Sequence, residues 1–262
     1  MFTTNWLDFL PLWALFGLTV AIVIASVEAG FLIAVYRKQY AAAGNDAPIS
    51  SVIGGTLGLL AFLLAFTFGL AAARFDTRRV LLLEETNAIG TAYLRAGMVP
   101  EPERRQIRER LREYVHLRAE VGGRPQALPQ IIERSEVLQG ELWAQAELVA
   151  KKDSHSQINA LFVAALNDVF DMHTKRIVVG HYQIPAVIWL ALYVVSIISM
   201  TGVGYQFGRA GTRDLAVSFF LALAFSIVIG LIADLDRGYE GALRISQQPM
   251  IDLDQQLRNT PL

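Results

Sequence analysis

The 262-residue chain contains no cysteine, so it can form no disulfide and offers no thiolate to a metal. It has almost no net charge: 23 Lys+Arg stand against 24 Asp+Glu, and no basic stripe is interleaved with aromatics. That balance argues against nucleic acid as a partner. There is no G-x-S-x-G, no P-loop, no GxGxxG and no HExxH-type pair, and His116, His155 and His181 are scattered. An enzyme reading therefore has no residues to stand on, and neither a cofactor nor a bound metal is expected. No stretch alternates β-branched and polar residues between turn signals, so no strand is expected. Residues 1–9 carry no Lys or Arg, and the apolar run after them is too long for the core of a signal peptide. It reads as an uncleaved first span.

What is present is apolar length. Hydrophobic residues make up 53% of the chain, and its mean hydropathy is +0.39. The excess is concentrated in four nearly charge-free stretches, 10–36, 50–73, 183–207 and 215–233. A bilayer core of about 30 Å needs ~20 apolar residues in a helix, and all four meet or nearly meet that length. Between the second and third lie residues 74–182, which hold 16 of the 23 Lys+Arg and 15 of the 24 Asp+Glu and so belong in water. The expected fold is an all-α membrane protein: four transmembrane helices with a helical-bundle domain inserted between the second and third spans. Its parts are a first transmembrane hairpin (1–73), an extramembrane bundle (74–182), a second hairpin (183–233) and a polar tail (234–262).

Local signals place the helices. The first span opens at Pro11, with Trp6 and Trp13 where interfacial aromatics usually sit, and ends at Arg37-Lys38. The second span is rich in small residues. Gly54-xxx-Gly58 and Ala61-xxx-Ala65-xxx-Gly69 set small side chains on one side, where another helix can come close. It has no stop signal before Gly97 and the Pro100/Pro102 pair, so one long helix should leave the membrane and enter the bundle. A second bundle helix spans 103–121, with Ile107, Leu111, Tyr114, Val115 and Arg118 on one face. Gly122-Gly123 and Pro125 break it. A third runs from Pro129 to about Lys152, and a fourth from Gln157 to Gly180. Short connections of this kind join antiparallel helices. The tail is too short to form a domain but long enough to pack on the bundle.

Three groups of residues carry candidate chemistry. Glu28 lies nine residues before Arg37, roughly 13 Å into the first span at 1.5 Å per residue. A carboxylate at that depth is costly. It either touches an ion path or is protonated or paired, tying the first span to another. Phe62 and Phe66 stand one turn apart on the second span, flanked by Gly58 and Gly69. Around a symmetry axis such rings form a hydrophobic constriction; otherwise they are packing residues. Glu84, Glu85 and Asn87 follow the second span, and Asp168, Asp171, His173, Lys175 and Arg176 precede the third. These two clusters could bind a cation. The i, i+4 spacing of Asp171 and Lys175 favours a salt-bridge network near the membrane, in which Arg74 also stands.

The segment LLAFTFGLAAARFDTRRVLLLEETNAIGTAYLR, residues 63–95, resembles the second-span signature of bestrophin-type channels, with Arg74-Phe75 in place of the family's Arg-Trp junction. KRIVVGHYQIPAVIW is similar to the family's entry to the third span, so Ile184-Pro185 matches. DLDRGYEGALRISQQPM, together with Glu28-x-Gly30, resembles an allied group, the bacterial bestrophin-like domain proteins, over most of the chain. On this register Phe62 and Phe66 fall on phenylalanines of the family's neck, whereas Gly58 stands where that neck normally has a larger apolar residue. Only Asp234 and Asp236 lie near the acidic calcium clasp of animal bestrophins, and the long C-terminal helices are largely missing. The resemblance implies a homo-oligomeric ion channel, a pentamer, with its pore lined by the second span and inorganic ions passing through it.

Four spans put the helical domain and both termini on one side of a bacterial inner (plasma) membrane. The short loops carry Arg37, Lys38, Arg209 and Arg213, which leans toward the domain outside, whereas the resemblance implies a cytosolic domain. The cytosolic side is the expectation. A non-conducting membrane sensor or scaffold, whose helical domain binds a partner, is the alternative to a channel; the oligomeric state separates them, because four spans alone cannot enclose a wide pore.

Overall fold

The computed structural model describes residues 10–40, 47–123, 125–238 and 241–261; Trp6 and most of the loop after the first span lie outside them. The described residues form helices and no strand: α1 (Leu12–Tyr40), α2 (Ala47–Ala96), α3 (Glu103–Ala119), α4 (Leu128–Lys152), α5 (Gln157–Gly180), α6 (Ala186–Ala210), α7 (Leu215–Arg237) and α8 (Gln248–Asn259). Short 3-10 turns, Glu120–Gly122 and Pro125–Ala127, lead from α3 to α4. Helices over Leu12–Lys38, Ile49–Ala96, Ala186–Ala210 and Leu215–Arg237 are long and apolar enough to cross a membrane. The chain is all-helical with four apolar candidate spans.

Two compact units divide it: residues 1–74 with 183–237, and residues 75–182 with 238–262. Helix α2 is a single helix of 50 residues, ~75 Å long, whose first part belongs to one unit and whose remainder belongs to the other. Its glycines do not interrupt it, and it ends just before Gly97.

In the first unit α1 and α6 lie closest. A Cβ at Gly204 would run into the Val27 backbone, one at Gly30 into the Thr201 carbonyl, and one at Gly208 into Phe31 and Ala34. Positions advance together along both helices, so α1 and α6 run parallel, backbone nearly on backbone. A buried hydrogen bond of 2.9 Å joins Thr19 on α1 to the Tyr193 hydroxyl on α6. Helix α2 packs antiparallel on α6 through Ile53 against Gly202 and through the Ser199 hydroxyl, which donates to the Thr56 carbonyl at 3.2 Å. Within the described part of this unit, the backbone contacts of glycines belong to α1 and α6. Gly54, Gly55, Gly58 and Gly69 have open space around them, because α2 turns its other side, Ile53, Leu60, Leu64, Thr67 and Ala71, inward. Large apolar side chains such as Leu32, Val187, Leu190 and Phe220 point outward, as lipid-facing residues do. Gly211, in the left-handed region at φ 73°, ends α6.

The second unit is a bundle whose core joins Leu82, Ile89 and Tyr93 of α2 to Leu111 and Tyr114 of α3, Leu138 and Leu142 of α4, and Phe162 and Leu166 of α5. Helix α5 begins at Ser156, whose hydroxyl accepts the Asn159 N–H. Helix α8 adds Met250, Leu253 and Leu257 to the core, so the polar tail is part of the bundle. Arg112 and Arg108 hold the carbonyls of Thr260 and Pro261 beyond it.

The glycine contacts set a test. Gly204→Ala should lower the melting temperature in detergent, at a cost of about 1–3 kcal/mol for an overpacked contact that no rotamer change relieves. Gly140→Ala, in open space on α4, should leave it unchanged or raise it by up to roughly 1 kcal/mol through helix propensity. Equal effects would contradict the backbone contact at Gly204.

Candidate functional site

Two sites stand out, one in each unit. The first is the outward face of α2. Phe62 and Phe66 are 64% and 59% exposed, their centroids are 6.4 Å apart, and their planes are inclined by only 20°. Gly58 lies one turn before them on the same side, with nothing near it. A face of glycine, alanine and exposed phenylalanine is apolar and offers an ion no ligand. It has no partner within the described residues of the chain.

Glu28 does have a partner. Its carboxylate accepts from the Arg213 guanidinium at 2.8 Å, and that guanidinium also lies over the Phe31 ring, 5.6 Å from its centroid. Arg213 belongs to the loop between α6 and α7, which ends two spans at once. Glu28 is therefore within one side chain of a loop, closer to a span end than its distance from Arg37 indicates. The ion pair ties α1 to that loop.

The second site is a buried charge cluster in the bundle. Glu85 of α2 is 0% exposed, and Arg118 of α3 and Arg176 of α5 are 2% and 5% exposed. Arg118 donates to both Glu85 oxygens, at 3.0 and 3.3 Å, and Arg176 donates to Oε2. The second Arg176 nitrogen donates to Gln247, just before α8, at 2.6 Å. The Tyr114 hydroxyl lies 3.5 Å from Glu85 Oε1 and 3.0 Å from Nδ1 of His173, and accepts from Gln139 of α4 at 3.3 Å. Burial, with Arg118 adding to it, pushes the His173 imidazole down to about 4, so it is neutral at neutral pH. Burial and the Glu85 charge push the Tyr114 phenol up.

Of the two polar clusters in the sequence, the structure joins Glu85, His173 and Arg176. Glu84, Asn87, Asp168 and Asp171 lie on exposed faces, and no ion pair links Asp171 to Lys175 among the described residues. Arg74 is held in the other unit, 3.7 Å from Asp236, whose carboxylate also accepts the Ile184 N–H at 3.0 Å. The sequence does not single out Arg118, Tyr114 or Gln247 as site residues. Arg118 had a signal: it occupies an apolar position of the α3 repeat, and a cation on a buried face needs an anion. Gln247 had none. Among the described residues no three carboxylates or imidazoles converge as metal ligands.

The class defined by the fold is an all-helical membrane protein with four apolar spans. The sequence pattern of the Bestrophin-like domain matches residues 19–250, and the chain belongs to that family. Crystal structures of a bacterial bestrophin homologue from Klebsiella pneumoniae share the fold. One variant superposes with a TM-score of 0.69 at 13% identity, over 92% of this chain and 97% of that one. A second gives 0.67 at 13%, over 93% and 99%. A third gives 0.67 at 14%, over 92% and 97%. No curated protein sequence matches the chain.

The buried cluster predicts contrasting mutants. Glu85→Ala strands two buried guanidiniums and should cost about 3–5 kcal/mol of stability. Asp168→Ala, on an exposed face, should stay within about 0.5 kcal/mol. Thermal melts of both variants check this; a mild Glu85→Ala would mean that the cluster is hydrated.

Proposed function

We propose that the chain is the subunit of a homo-oligomeric, bestrophin-like ion channel whose pore is lined by α2 and narrowed by Phe62 and Phe66. The observation that carries this reading is the two-sidedness of α2. One side is packed into its unit, and the other presents stacked, exposed phenylalanines and bare glycines that no part of the described chain covers. In a ring of subunits such faces meet around the axis, where small residues let helices approach and aromatic rings form a dry constriction. Family membership supports the same reading, since bestrophins are channels, and so does the fold shared with the Klebsiella homologue. Transport rather than catalysis is the activity. The bundle, inserted between the second and third spans, forms the vestibule on the cytosolic side of the inner membrane. Gly58, in place of a larger apolar neck residue, makes the constriction shorter than three rings.

Three measurements test it. Mass photometry in mild detergent and in lipid should give a closed ring, a pentamer by the family resemblance; only monomers would overturn the proposal. In liposome flux assays Phe62→Ala/Phe66→Ala should assemble normally and pass ions several-fold faster than wild type, because bulk is removed without adding charge. A double mutant that assembles and conducts as wild type does would make the phenylalanines ordinary packing residues. Orientation is open to single-cysteine labelling against the cysteine-free background. A cysteine at exposed Ser154 should be protected from an impermeant maleimide in intact cells, and one at Thr212 should react.

A further inference from the structure

We propose that His173 is an acid-operated release: on taking up a proton it unlocks the second half of α2 from α3 and α5. The inference concerns the bundle alone and does not rest on the channel reading. His173 is 2% exposed; its Nδ1 faces the Tyr114 hydroxyl at 3.0 Å, and its Nε2 is buried with no hydrogen-bond partner among the described residues. The phenol has one proton to give. With a neutral imidazole that proton goes to Nδ1, while Glu85 keeps its bonds from Arg118 and Arg176.

Protonation reverses the bond at Nδ1. The added proton sits on Nδ1, which becomes a donor, so Tyr114 must turn its own proton to Glu85, 3.5 Å away, while the Nε2–H that the neutral ring already carried still has no acceptor among the described residues. The charged groups that face the imidazole are Glu85 from α2, Arg118 from α3 and Arg176 on its own helix; α4 contributes the neutral Gln139 to the cluster, and the segment before α8 the neutral Gln247. An imidazolium would therefore be the third buried cation around a single carboxylate, with Nδ1 only 3.9 Å from Glu85 Oε1. The cluster is relieved when the helices part and water enters. Burial and Arg118 hold the histidine at about 4 in the folded protein, below its ordinary value of 6.5. The neutral form is the one the fold favours. The stability it contributes is complete above about pH 6.5 and is lost as the pH falls toward about 4.

The test uses the full-length protein in detergent, wild type and His173→Gln, melted from about pH 7.5 to about pH 4.5. Wild type should lose several degrees more than the glutamine variant across this range. Amide exchange in residues 82–93 should rise in acid in wild type alone. A glutamine variant with the full wild-type acid loss would overturn the proposal, because ordinary carboxylates would then account for it. Should that variant fail to fold, the histidine NMR titration of wild type decides. A buried imidazole titrating near 4 supports the release, and four imidazoles all titrating above about 6 overturn it.

Discussion

The bundle depends on one carboxylate shared by two guanidiniums. Glu85 lies on the part of α2 belonging to the second unit, fully buried, and receives Arg118 from α3 and Arg176 from α5. Three helices distant in sequence are held in one register by groups that cannot be left unpaired. Taking such ions out of water costs several kcal/mol each, so the cluster adds less to net stability than its bonds suggest. What it does add is intolerance of alternatives. A slip of one helix by a turn strands a charge in the core, whereas the leucines around it would repack at modest cost.

The first unit is organised without charge. Where α1 meets α6, glycine on one helix lets it lie against the backbone of the other, and dispersion replaces the hydrophobic effect that lipid cannot supply. The charged exceptions each reach a loop or a helix end: Glu28 pairs with Arg213 of the loop between α6 and α7, and Asp236, at the end of α7, lies by Arg74 and accepts the Ile184 amide. Asp236 caps the turn that opens α6 at Pro185, so the carboxylate that ends one span positions the start of another.

Helix α2 takes part in both schemes, and this division of labour gives it functional weight. Its first part turns Leu60 and Leu64 inward and Phe62 and Phe66 outward; its second part carries Glu85 into the bundle core. The exposed phenylalanines would be a solubility liability in a lone soluble protein.

Much of this was legible in the sequence. Apolar length alone marks the four spans, because a helix must satisfy its own backbone in hydrocarbon. Gly97 with the following prolines, Gly122-Gly123 and the KKDSHS turn mark the bundle helices to within a few residues, because breakers act locally. Periodicity told which face of α3 is buried. It did not tell that Arg118 on that face would meet Glu85, that Gln247 from the tail would join them, or that Glu28 would meet Arg213. Nor did it tell that Gly30 and Gly204 would bring two helices into backbone contact. A repeat in one helix specifies a face but not its partner; only the tertiary structure sets distant side chains within bonding distance.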